Sequence, residues 1–345
     1  MATTPETVQR QTRPDVIPVA ERRRMESIKF PREGDDGLFS ESWFPIALAS
    51  EVPVGKVVGK NFLDGRVIIY RGADGVVRGQ SAYCPHVGAD LSVGTVVGNN
   101  IQCAFHRWEY DPNGMCARTA DNTCPPPRAF LYTFPVQERF GIVWIYNGPE
   151  PRFQLFDFEY PDEELVFEPF VGQLYPCDPW VLSCNTPDFQ HVAVVHGVQF
   201  KANVLDSFEW DEWGFRYNFD AIHQNGIPIA WQAGIRGTST FIQQGLVDGW
   251  WLGVSAGYSL PRPGTFEPFV SIAVRNVATE AGKTIRERID FGRFLLQRTV
   301  DEDTAVLNTI RFKAGHFTKS DQALVKFLRF LAQYPRSHPS RDFIR

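Results

Sequence analysis

The stretch CPHVGADLSVGTVVGNNIQCAFH, Cys84 to His106, holds two of the six cysteines and two of the seven histidines of the chain. Its pattern is C-x-H, then 16 residues, then C-x2-H. Thiolate and imidazole are metal ligands, and two such groups at each end of one short segment read as a metal site. Two Cys and two His close a tetrahedral zinc site, but zinc-binding segments usually set like beside like, a Cys pair followed by a His pair. Here each short loop offers one of each. That alternation suits a [2Fe–2S] cluster in which two thiolates hold one iron and two imidazoles the other. Gly88, Gly94, Gly98 and Asn99-Asn100 supply the turns that two opposed hairpin tips need.

Outward from this stretch the text is that of an antiparallel β domain. Short apolar runs such as KVVGKNFL, RVIIYRG and FGIVWIYNG are bounded by Gly, Asp and Asn, with turn signals at Asp64-Gly65 and Asp74-Gly75. The reading gives a domain over residues 37–150, preceded by a polar, weakly ordered arm over 1–36. A Pro-rich acidic connection leads into a second domain over 151–345. That half alternates apolar and polar residues through STFIQQGLVDGWWLGVSAGYSL and FVSIAVRN, which predicts a larger antiparallel sheet. Two helices are expected near the end, one around residues 301–312. The other starts at an N-cap Ser320, with Leu324, Phe327, Leu328 and Leu331 on one face. The fold class is therefore α+β.

At 345 residues the chain has room for two cores. Its 43% apolar and 22% charged content is that of a globular protein, and a net charge of −5 gives no reason to expect nucleic acid. Without an apolar run long enough to span a bilayer or a secretory signal, the expected compartment is the cytoplasm. Thiols stay reduced there and cysteine clusters bind metal. Cys116, Cys124, Cys177 and Cys184 have no histidine at ligand spacing and read as buried thiols.

With Trp108 and Gly114 just downstream, the Cys84–His106 stretch resembles the Rieske family. The resemblance implies a [2Fe–2S] cluster held by Cys84, His86, Cys103 and His106. Respiratory members add a disulfide between the loops and a serine hydroxyl to a cluster sulfur. At those positions this chain has Ala89, Phe105 and Trp108, which implies a potential near the low end of the range. Val87 stands where many Rieske oxygenases have Arg, and CAFHRW replaces the commoner CPYHGW.

A low-potential cluster needs a destination for its electron. SCNTPDFQHVAVVHG, residues 183–197, contains Asn185, Asp188, His191 and His196. This N-x2-D-x2-H-x4-H pattern resembles the mononuclear iron segment of the Rieske non-haem iron oxygenases. Residues five apart on a regular helix lie roughly 140° from each other, so a shared metal requires the helix to break between His191 and His196. Asp188 and His191, three apart, share a face, which places Asp188 to accept from the imidazole N–H. The resemblance implies that Asp188 also bridges to His106 of a neighbouring subunit. It places a carboxylate ligand downstream in VDEDTAVLNTI, at Asp303, with Asp301 and Glu302 as competitors and Asn308 departing from the usual Glu or Gln. His191, His196 and Asp303 are thus the expected iron ligands, with Asp188 and Asn185 beside them in catalytic roles.

The resemblance implies the oxygenase component of the α-subunit-only branch, that of aminopyrrolnitrin oxygenase, ketosteroid 9α-hydroxylase and the dicamba and vanillate O-demethylases. Its fold would join a Rieske domain to a helix-grip catalytic domain. Such a component uses O2 and electrons that a reductase, with or without a ferredoxin, draws from NAD(P)H. It hydroxylates, demethylates or N-oxygenates a hydrophobic aromatic or steroid-like substrate, commonly as a homotrimer with electron transfer between subunits. The other readings are a ring cis-dihydroxylating dioxygenase and, in a different class, a Rieske electron carrier without oxygenase activity. Pocket residues are expected at Phe200, Trp231, Ile242, Leu246, Trp250, Trp251 and Ser255. The basic residues Lys319, Lys326, Arg329, Arg336, Arg341 and Arg345 would suit an acidic redox partner.

Overall fold

The computed structural model describes residues 30–223, 225–313 and 317–345. Residues 1–29 of the expected arm lie outside them. Residues 30–36 belong to the packed molecule: Phe30 meets Trp180 and Phe312, and the buried Glu33 accepts from both the backbone and the hydroxyl of Ser40.

In the N-terminal half, Val57–Phe62, Gly65–Arg71, Val77–Ser81 and Thr133–Phe134 form one antiparallel sheet, and Trp43–Leu48, Val136–Arg139 and Ile142–Tyr146 a second. Every residue of Ile142–Tyr146 is buried, because that strand is central to its sheet and covered on both faces. A third sheet joins Thr95–Val97, Asn100–Gln102, Glu109–Tyr110 and Cys116–Arg118. Its first hairpin turns at Gly98 (φ +60°) and Asn99, and lies between the two Cys/His loops in sequence.

The second half is built on an antiparallel sheet of eight strands, running in space from Leu165–Val171 through Pro268–Arg275, Trp250–Tyr258, Thr240–Val247, Pro228–Arg236 and Gly214–His223 to Val198–Phe200, with Glu209–Asp211 beside Gly214–His223. One face carries Leu252, Val254 and Ala256 with Ile229, Trp231 and Ala233, and packs on helices Ile285–Leu307 and Gln322–Gln333. The opposite face carries Ile242 and Trp251, which pack with Trp144 and Phe158. The two halves therefore share a core. A Cβ on Gly257 would overlap the Trp144 ring, so the close approach needs glycine there.

The expected helix at 301–312 is the last part of a longer one. It begins at Ile285, where Thr284 and Glu287 form a capping box, and ends at Leu307. Helix Gln322–Gln333 follows a single 3₁₀ turn at Lys319–Asp321, so the helical start lies two residues beyond Ser320. Phe327, Leu328 and Leu331 are buried on it as expected. The chain then returns to the N-terminal half: Arg336–Ser337 pairs with Phe39–Ser40, and Ile344 is buried beside Val67 and Leu63. Among the described residues no helix is long and apolar enough to cross a membrane.

Candidate metal centres

The two Cys/His loops have the same backbone. Cys84 N–H donates to Ala89 O at 2.9 Å and Gly88 N–H to Cys84 O at 2.8 Å; Cys103 N–H donates to Trp108 O at 2.8 Å and Arg107 N–H to Cys103 O at 3.1 Å. Each loop thus closes on its cysteine and turns through positive φ at the fourth residue beyond it, Gly88 at +82° and Arg107 at +58°. Gly88 adopts that conformation freely; Arg107 is held there at a cost of about 1 kcal/mol. The thiols of Cys84 and Cys103 are buried, whereas His86 is exposed and His106 half-buried. The imidazole rings face each other with centroids 4.6 Å apart, and Trp108 stacks on His86 at 4.3 Å. His106 Nδ1 is buried without a hydrogen-bond partner, which is the state of a nitrogen shaped for a metal. Two thiols inside and two imidazoles outside fit a cluster with one iron on each side.

One contact was missed in the sequence. The Tyr110 hydroxyl lies 3.1 Å from Cys84 Sγ, so this loop pair does have a hydroxyl on a ligand sulfur, despite Trp108 in the serine position. Burial raises the Tyr110 hydroxyl above its usual range, and Cys84 raises it further. Of the four remaining cysteines, Cys116, Cys177 and Cys184 are buried as expected, and Cys124 is exposed.

The second cluster forms where three elements meet. Helix Pro179–Ser183 ends in a turn bearing Asn185; helix Phe189–Val194 carries His191; and His196 follows the end of that helix, before Gly197 (φ +64°). The helix stops between the two histidines, and this brings their Nε2 atoms to 3.0 Å from each other. Asp303 comes from helix Ile285–Leu307, its Oδ1 3.3 Å from His191 Nε2 and 3.6 Å from His196 Nε2. Asn185 Nδ2 donates to the other oxygen, Asp303 Oδ2, at 3.0 Å. Two imidazole nitrogens and a carboxylate oxygen converging on one point, buried or half-buried, form the donor set that suits Fe(II).

The neighbouring acids divide the work. Glu302 Oε2 is 2.8 Å from His196 Nδ1, and Arg298 holds its other oxygen at 2.9 Å. Burial alone would raise the Glu302 carboxyl, but His196 and Arg298 outweigh it and hold it below the usual range. Asp301 is exposed and accepts from Gln297. Asp188 Oδ1 accepts from the backbone N–H of His191 at 3.0 Å as an N-cap, so the expected bond from the imidazole ring is replaced by one from the main chain.

Beyond the three convergent side chains opens a cavity of about 210 Å³ between helix Ile285–Leu307 and the concave face of the sheet. Its wall is mostly aromatic and aliphatic. Of the residues expected there from the sequence only Trp231 lines it; Ile242, Trp251 and Ser255 point to the opposite face, because Phe241, Gln243, Val254 and Ala256 hold the inward positions. Trp250 is on the inward face but packs against Phe291, Leu246 is exposed, and Phe200 packs on Phe189 and Phe219. Tyr258 lies on the cavity wall near Asp303; burial, then that carboxylate, raises its hydroxyl above the usual range. His223 and Tyr258 were not anticipated.

Residues 42–135 match the Rieske [2Fe-2S] domain family. The chain carries a Rieske domain. The match includes both Cys/His loops and Tyr110. Cholesterol 7-desaturase nvd of Bombyx mori is 36% identical over 126 residues, 36% of this chain and 28% of that protein. The oxygenase component of dicamba O-demethylase from Stenotrophomonas maltophilia is 36% identical over 175 residues, 49% of this chain and 50% of that one. The chain thus spans half or less of these curated relatives. The crystal structure of dicamba monooxygenase bound to dicamba superposes with a TM-score of 0.65 at 21% identity, over 85% of this chain and 97% of that one. The α+β architecture expected from the sequence, a Rieske domain followed by a large antiparallel sheet with few helices, is the one observed.

Proposed function

We propose that this protein is the terminal oxygenase component of a Rieske system. It would take electrons singly from an external reductase or ferredoxin supplied by NAD(P)H and use O2 to hydroxylate, demethylate or N-oxygenate a compact hydrophobic substrate. The observation that carries this reading is the convergence of His191 Nε2, His196 Nε2 and Asp303 Oδ1 at one end of an apolar cavity, in a chain that also has a Rieske domain. A pure electron carrier has no use for either.

Cys84, His86, Cys103 and His106 would hold the [2Fe–2S] cluster, and His191, His196 and Asp303 the mononuclear iron. Bound there on one face, that iron supplies the oxygen chemistry and keeps positions open for O2 and substrate. The protein's own groups set the geometry. Glu302 accepts a hydrogen bond from His196 Nδ1–H and leaves Nε2 free to ligate, Asn185 fixes the plane of the Asp303 carboxylate, and the mostly apolar wall keeps bulk water from the reacting face. His106, half-buried at the outer side of the cluster site, is placed to pass electrons to a partner centre, and a homotrimer in which Asp188 meets His106 of a neighbour supplies one. The described cysteines form no disulfide, which suits a reducing compartment such as the cytoplasm. Of the relatives named above, the dicamba O-demethylase component supports demethylation over ring dihydroxylation.

Iron analysis tests the assignment. The purified protein should be red-brown with about three irons per chain, two in the cluster and one in the triad. His191→Ala should lose one iron and all O2-dependent product while the cluster absorbance stays. Full O2-dependent activity in that variant would remove the triad from the mechanism, and absence of O2-dependent product from the wild type would return the protein to the electron carriers.

A further inference from the structure

Several polar groups line the cavity beside the triad; Gln243 and Tyr258 present their side chains to it, and others are engaged within the protein. The Tyr175 hydroxyl bonds Thr304 Oγ1 at 3.0 Å, Tyr217 donates to the Thr186 carbonyl at 2.7 Å, and Thr299 donates to the Leu295 carbonyl at 3.0 Å. His223 differs. It is the last residue of strand Gly214–His223, its Cα opposite Val198, two residues past His196. A tight turn fixes its backbone, with His223 N–H donating to Ile227 O at 3.0 Å and Gly226 N–H to His223 O at 2.8 Å. The ring is 7% exposed and lines the cavity.

The proton on that ring can be assigned from its neighbours. His223 Nδ1 lies 2.7 Å from Asn225 Oδ1. The same oxygen accepts from Ile227 N–H at 3.4 Å, so it is an acceptor and Nδ1 carries the hydrogen. Asn225 N–H also approaches Nδ1 at 3.4 Å, the same length as the Ile227 contact, and the 2.7 Å contact to Oδ1 is the shorter and dominant one. Nε2 is then left as a bare lone pair, without a protein partner among the described residues, on a ring that lines a mostly apolar space. An acceptor so placed gains most from a bound molecule that brings a donor.

We propose that His223 is the polar anchor of the cavity, and that the substrate is a compact apolar molecule carrying one N–H or O–H group that donates to His223 Nε2. Asn225 is the positioning residue that fixes the tautomer. The inference rests on the functional reading above only in taking this cavity as the substrate site.

Paired probes test it: indole with 1-methylindole, and 2-naphthol with 2-methoxynaphthalene, titrated by calorimetry into the resting holoprotein without reductase. Indole and 2-naphthol should bind about three- to tenfold more tightly than their methylated partners. The preference should vanish in His223→Leu and persist in His223→Gln, whose amide oxygen still accepts; cluster absorbance reports that each variant is folded. If His223→Leu does not fold, the native protein and His223→Gln carry the comparison. Equal binding of each pair, a preference that survives in His223→Leu, or no binding of any of the four probes overturns the proposal. Selective binding without turnover under reducing conditions would overturn the oxygenase reading and leave this one standing; turnover without the preference would do the reverse.

Discussion

At the scale of single residues, the acids of VDEDTAVL show how helical phase assigns roles. Asp301, Glu302 and Asp303 are consecutive on helix Ile285–Leu307 and so point about 100° apart. Asp303 shares the inward stripe with Ile289, Gly292 and Leu307, which are buried, and this turns it into the site. Glu302 is left beside His196 Nδ1, and Asp301 in solvent. A carboxylate that accepts the second ring proton of a metal-ligating histidine fixes its tautomer and raises its basicity, and removing such a partner typically weakens metal binding about 10- to 100-fold. Glu302→Gln is therefore expected to lose iron from the triad on dialysis against a mild chelator that leaves the wild type loaded, while the Rieske absorbance is unchanged. Equal retention of iron by the two proteins would remove Glu302 from the site. Sequence spacing alone had left the three acids as competitors, although the one-turn interval between Asp303 and the apolar Leu307 was already a signal in favour of Asp303. Asp188 was misread more simply: its spacing to His191 suits a ring contact and an N-cap equally, and only the backbone decides.

At the scale of elements, the helix bearing Asp303 depends on its first turn. Thr284 Oγ1 accepts from Glu287 N–H at 3.3 Å, and Glu287 Oε2 accepts from Thr284 N–H at 2.8 Å. The fully buried Arg288 then ties the same turn to the preceding hairpin through Glu280 and the carbonyls of Arg275 and Val277. Thr284→Ala should lower stability by about 1 kcal/mol, read as a shift in urea midpoint with an unchanged slope. No shift would mean that Arg288 alone holds the turn. The start of this helix was legible as T-x-x-E, but its charged text over residues 286–302 hid the apolar stripe. The sheet posed the opposite difficulty. Strand Trp250–Tyr258 is buried at all nine positions, so alternation did not reveal which residues face the cavity, and Ile242, Trp251 and Ser255 were assigned to the wrong face. The Cys/His loops, by contrast, are local structures whose ligand spacing is written in sequence, and their reading did not depend on distant packing.

At the scale of the whole molecule, segments remote in sequence are brought together in ways that no local pattern announces. Residues 336–345 return to the N-terminal half, and residues 30–40 reach across to the C-terminal half. Where the latter meet it, two acids are buried together: Glu33, bonded to Ser40, and Asp178, whose Oδ1 has no partner. Burial, then the nearby Glu33, pushes the Asp178 carboxyl from its usual 3.8 up to about 7, with the backbone N–H of Gly264 and then Arg32 opposing. The sign follows directly. Below about pH 4 the group is protonated in the folded and unfolded chain alike and costs nothing. Between about 4 and 7 only the unfolded chain releases the proton, so folding stability falls as pH rises, and above 7 the full penalty persists. A shift of roughly three pKa units corresponds to a penalty of at most about 4 kcal/mol. Asp178→Asn removes the ionisation while keeping an oxygen of the same reach. Its urea midpoint should match the wild type near pH 3, exceed it at pH 6, and exceed it most at pH 8. A displacement of equal size at all three pH values would show that the substitution acts through packing, and that Asp178 is not the group whose ionisation strains the junction between the N-terminal segment and the C-terminal half.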